Sequence, residues 1–101
     1  MKTITNKTTE IVFSEQDLTK MTYFDLIKLI VNQPTPGGFD VEQMRQRLNL
    51  WGIFDTALLN KADTVELALK DFPAVKELVS NFRWKVAHKD AIDFVDYINS
   101  L

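Results

Sequence analysis

Pro34-Thr35-Pro36-Gly37-Gly38-Phe39-Asp40-Val41-Glu42-Gln43-Met44 divides the chain and starts its longest helix. Pro34 biases the residue before it away from the helical region, so a preceding helix ends there. Asp40 is an N-cap. Gln43, three residues on, has the reach to bond back to the cap amide, and Phe39 and Met44 take the N′ and N4 places of a hydrophobic staple. Val41, Met44, Leu48 and Trp51 come next at three-four-three spacing, which predicts a helix over 41–60 with that stripe inward. Gly52 weakens its interior by up to about 1 kcal/mol against alanine. The apolar spacing persists beyond it, so the helix is expected to run through.

Working outward, Thr22-Tyr23-Phe24-Asp25 has the Thr-x-x-acid form of a helix start, and Leu26, Ile27, Ile30 and Val31 recur at helical spacing. This predicts a helix over 22–33. Residues 2–14 alternate weakly, with threonines and Ile4, Ile11 and Phe13 about Asn6-Lys7, which reads as an N-terminal hairpin. Asp63-Thr64-Val65-Glu66-Leu67-Ala68-Leu69 has period two and predicts a strand over 64–69, with Val65, Leu67 and Leu69 on one side, to join that hairpin. Asp71 is the candidate cap of a helix over 72–83, with Pro73 in its first turn and Val75, Leu78, Val79 and Phe82 inward. A last helix over 88–100 is expected to bury Ala91, Ile92, Val95 and Ile98. The expected class is α+β: about four helices packed with a small antiparallel sheet made of the hairpin and the central strand.

A chain of 101 residues has the length of a single domain, 1–101. Its apolar fraction of 46% and its eleven aromatic residues supply a core without staples. The absence of cysteine removes disulfides, thiolate metal sites and cysteine nucleophiles, and suits a reducing cytoplasm. A net charge of −2 argues against a general polyanion binder. No apolar run approaches a membrane span, and residues 1–6 lack the apolar stretch of a signal peptide, so a place inside a cell is expected.

Each candidate site has a plain alternative. Gly37-Gly38 ahead of a helix N-terminus resembles an anion cradle, but Asp40 sets a negative charge on the amides a phosphate would need. Arg83, Trp84, Lys85, His88 and Lys89 gather cations and a ring able to stack on a base, and they form the nucleic-acid alternative. Arg45, Gln46 and Asn49 suit the outward face of a winged helix, although no wing hairpin comes after them. Asp90, Asp93 and Asp96 lie three apart on one helix, which does not wrap its own carboxylates around an ion, so a solvated acidic face is expected. One histidine, no cysteine and three isolated serines offer no nucleophile setting. No catalytic residue, cofactor or metal is expected.

The stretches Phe24-Asp25-Leu26-Ile27, Asn32-Gln33-Pro34-Thr35-Pro36-Gly37-Gly38, Glu42-Gln43-Met44-Arg45-Gln46-Arg47, Thr64-Val65-Glu66-Leu67 and Arg83-Trp84 resemble those of small proteins encoded in tailed-phage and prophage genomes. That resemblance implies a phage accessory, regulatory or virion-assembly protein, found in the host cytoplasm or the virion, and brings no site residues. The expectation is a non-enzymatic interaction module that binds a protein partner (a virion component or a host protein) or itself, with no membrane. Its candidate contacts are Phe39, Arg45 and Trp51 on the second helix and Asp93 and Tyr97 on the last.

Overall fold

The computed structural model describes residues 1–34, 37–85 and 87–101. Thr35 and Pro36 of the opening loop, and Val86 of the basic segment, lie outside the described residues. The element order is β1 (Lys2–Thr5), β2 (Thr8–Val12), β3 (Lys20–Thr22), α1 (Tyr23–Val31), α2 (Val41–Leu59), β4 (Thr64–Leu67), α3 (Phe72–Asn81) and α4 (Lys89–Ser100). The fold is α+β, with four helices and two small antiparallel sheets among the described residues.

α1 is the centre of the core. Tyr23, Phe24, Leu26, Ile27, Ile30 and Val31 are all buried, so this helix is apolar nearly all round and is covered accordingly. Its start is fixed locally: the Thr22 hydroxyl accepts from the Asp25 amide at 3.3 Å, and the Asp25 carboxylate accepts from the Thr22 amide at 2.8 Å. α2 packs against it through Leu50, Phe54 and Ala57, with the Phe24 and Phe54 rings edge to face at 5.3 Å. Val75 and Val79 of α3 and Phe94 and Ile98 of α4 complete one continuous core with Ile4 and Leu67.

The N-terminal pairing departs from the hairpin expected over 2–14. β1 pairs with β4, Ile4 opposite Val65, and β2 pairs with β3 through an irregular register between Thr8 and Val12. Asn6-Lys7 is a junction between two partners, not a two-residue turn. The Asn6 amide donates to the Asp63 carbonyl at 2.8 Å, and the Tyr23 amide donates to the Lys7 carbonyl at 2.9 Å. The Asn6 side-chain carbonyl accepts from the Phe24 amide at 3.0 Å. Those bonds send the two strands to different neighbours, and the expected single sheet becomes two.

Several boundaries and faces also move. β4 ends at Leu67, and Leu69, expected inward, is exposed. Asp71 makes no side-chain cap, because its backbone already has helical angles; Pro73 does lie in the first turn of α3. Ile92 faces water, since Ala91, Phe94 and Ile98 carry the buried stripe of α4. α2 continues through Gly52 to Leu59, as its spacing predicts. Its buried stripe is not the predicted one: Val41, Met44 and Leu48 are 56%, 43% and 65% exposed.

Candidate functional site

The capping box at the start of α2 is built as its residues predict. Gly38 turns the chain at φ 71°, a left-handed angle that favours glycine. The Asp40 carboxylate accepts from the Gln43 amide at 2.8 Å, and the Gln43 side chain accepts from the Asp40 amide at 3.0 Å. With its carboxylate on that amide, Asp40 makes the loop a helix start rather than an anion cradle.

Beyond the cap, α2 differs from the other helices in how little of it is covered. Every residue from Val41 to Gln46 is exposed, so the first turn and a half stands clear of the body. At about 100° per residue, Val41, Leu48, Gly52 and Leu59 fall within about 40° of one another, on the side opposite Leu50, Phe54 and Ala57. The helix thus has two apolar faces, one on α1 and one in water. Leu59 is 76% exposed on that outer face. Gly52 sits in its middle, over a shallow depression shared with Leu48, Asn49, Ile53 and Thr56, and nothing lies within 4 Å of where its Cβ would stand.

Of the residues singled out on α2, Arg45 is exposed and its nearest acid is Glu42 at 3.6 Å, one turn back. Phe39 is half-buried with the Arg47 guanidinium 5.0 Å from its ring centre, and Arg47 also donates to the Val31 carbonyl at 3.3 Å. This clasp ties the loop to the end of α1. Trp51 is half-buried, with the Lys28 ammonium 4.6 Å above its ring; Lys28 in turn pairs with Asp55 at 2.7 Å. Trp51 therefore belongs to the α1–α2 seam more than to the outer face.

The α4 candidates separate. The Tyr97 hydroxyl accepts from the Thr5 amide at 2.8 Å and its ring lies 5.6 Å from that of Tyr23. Asp90 accepts from the Glu10 amide at 2.7 Å. Both residues hold the N-terminal strands, which sequence spacing has no means of showing. Asp93 is exposed; its charge helps raise the Tyr23 phenol above its ordinary value, after burial, which is the larger cause. The three aspartates therefore do not share one free face. Among the described residues no cluster of histidine and carboxylate side chains has the arrangement to hold a metal ion.

The basic segment is divided in the same way. Arg83, Lys85 and Lys89 are exposed. Trp84 is half-buried, edge-on to Phe82 at 5.0 Å and to Phe94 at 6.2 Å, so its ring is committed to packing. The His88 ring nitrogen Nδ1 accepts from the Asp90 amide at 3.0 Å and caps α4. Between α3 and α4 lies an open apolar groove of about 520 Å³, bordered by Phe82, Trp84, Ile92 and Val95 with Lys85 and Asp96.

The fold and these surfaces define a small α+β protein with an uncovered helix face. Comparison with protein-family models, curated proteins and solved structures finds no match to this chain. No helix among the described residues is long and apolar enough to cross a membrane.

Proposed function

We propose that the protein is a non-enzymatic interaction module, a phage accessory or assembly factor, that binds a protein partner through the outer face of α2. One observation carries this reading: Val41, Met44 and Leu48 recur at helical spacing and yet are exposed. Uncovered apolar rows of this kind, flanked by charges, suit helix-mediated docking. Asp93 and Tyr97 support it less, since Tyr97 is already bonded to β1. The nucleic-acid alternative keeps exposed Arg83, Lys85 and Lys89, but Trp84 offers little free ring for base stacking.

The test is affinity capture from host lysate with the unaltered protein and with Leu48→Glu, whose side chain makes no contribution to the core. Docking through α2 predicts that captured proteins are lost with Leu48→Glu while circular dichroism is unchanged. A captured set indifferent to Leu48→Glu removes α2 as the contact face. A salt-sensitive gel shift of an oligonucleotide would support the alternative in its place.

A further inference from the structure

We infer that the occupant of this face is a second copy of the chain, the two α2 helices crossing antiparallel at Met44. The inference rests on the proposed docking role of α2 and adds the identity and orientation of the partner.

The charge pattern points to this partner. The start of α2 reads Asp40 and Glu42, then Arg45 and Arg47: two acids followed by two bases. An antiparallel crossing at Met44 sets Val41 opposite Leu48 of the second copy and brings the acidic turn of each helix beside the basic turn of the other. The flanks agree as well. At about 100° per residue, Glu42 and Arg45 lie on one side of the Val41–Leu48 ridge, and Asp40 and Arg47 on the other. A two-fold axis across the crossing keeps like flanks together, so Glu42 meets Arg45 of the second copy and the reverse. A parallel pairing would instead bring opposite flanks together at equal height, setting Glu42 beside Asp40 of the second copy and Arg45 beside Arg47.

Glu42 and Arg45 are available for this exchange, whereas Asp40 is held in the cap and Arg47 in the clasp on Phe39 and Val31. Within one chain Arg45 and Glu42 approach only to 3.6 Å, with side chains 75% and 87% exposed, a loose pair that an interchain contact replaces at little cost. Every residue from Val41 to Gln46, on the turns that would cross, is exposed. The contact is short, about two to three turns from each copy, which places it in the weak class of interfaces below about 1,200 Å². Association is therefore expected to depend on concentration.

Two experiments test this together. In sedimentation velocity from about 10 µM to about 1 mM, a range suited to weak interfaces, the unaltered chain should shift from monomer towards dimer. Arg45→Glu alone and Glu42→Arg alone should each weaken the dimer about tenfold, since the pair occurs twice. The double variant Glu42→Arg with Arg45→Glu should restore it. The chain has no cysteine, so an introduced thiol is unique. Met44→Cys should form an interchain disulfide rapidly. Leu59→Cys, more exposed but about 22 Å along the helix, should not. A monomer throughout the range, a double variant as weak as the singles, or equal cross-linking at 44 and 59 overturns the inference. If self-association fails while lysate capture still depends on Leu48, only the second copy is excluded; if both fail, the docking face falls with it.

Discussion

Replacing Asp40 with alanine removes the acceptor of the Gln43 amide and undoes the reciprocal box that starts α2. Loss of such a cap costs about 1 kcal/mol, a change of about fivefold in a local equilibrium. In most helices that cost is spread over tertiary contacts. Here Val41 to Gln46 are all exposed, so little else holds the first turn and a half, and the cost should appear as local fraying. Amide exchange at Gln43, Met44 and Arg45 is expected to accelerate about fivefold, with Leu50 and Phe54, on the core face, much less affected. Global stability should fall by no more than the cap's own share, about 1 kcal/mol out of 5–15. Asp40→Asn keeps a side-chain acceptor and should behave almost like the parent, which separates capping from simple charge. Exchange that accelerates equally along the whole helix, or a Gln43 amide no faster in the alanine variant, would refute local capping as the cause. The proposed dimer would weaken along with the frayed turn.

Three further outcomes are expected of the same structure. Gly52→Ala should stabilise the protein by up to about 1 kcal/mol, because the position is helical and its Cβ meets nothing; the urea midpoint should rise at constant slope. Phe54→Ala, at a fully buried ring against Phe24, should cost about 3–5 kcal/mol in the same assay. Tyr23 ionises above its ordinary value near 10, so the folded state holds that proton more tightly than the unfolded one. Its contribution is complete below pH 10 and is lost as pH climbs through the raised value. Asp93→Asn should lower the Tyr23 pKa part of the way, burial remaining as the larger cause. Tyrosine NMR against pH would show this, and an unchanged or higher value would contradict it.

The parts of the fold legible in the sequence are those specified by near neighbours. Thr22 with Asp25, and Asp40 with Gln43, are reciprocal pairs three residues apart, so both helix starts read directly. The α2 face is different, because Val41, Met44 and Leu48 compete with Leu50, Phe54 and Ala57 at the same helical spacing. Only the position of α1 decides which row turns inward. Ile4 finds Val65 across sixty intervening residues, and no local signal at Asn6-Lys7 distinguishes a hairpin turn from a change of partner. For the candidate site, Arg45 is visible in the sequence as a surface charge, and the value of its neighbours as an exposed row emerges only with the packing. Tyr97 and Asp90 are legible as residue types, while their bonds to the N-terminal strands are not.

Those bonds bear on how the chain is made. The Thr5 amide is held by Tyr97 and the Glu10 amide by Asp90, contacts spanning 92 and 80 positions. The two strands emerge from the ribosome well before their anchors on α4 are synthesised. α1 and α2 can begin to pack early, since their starts are local and they adjoin in sequence. β2 can pair early with β3, but β1 must wait with an unpaired edge until β4 arrives, and this interval is when the nascent chain is most open to pairing with the wrong strand.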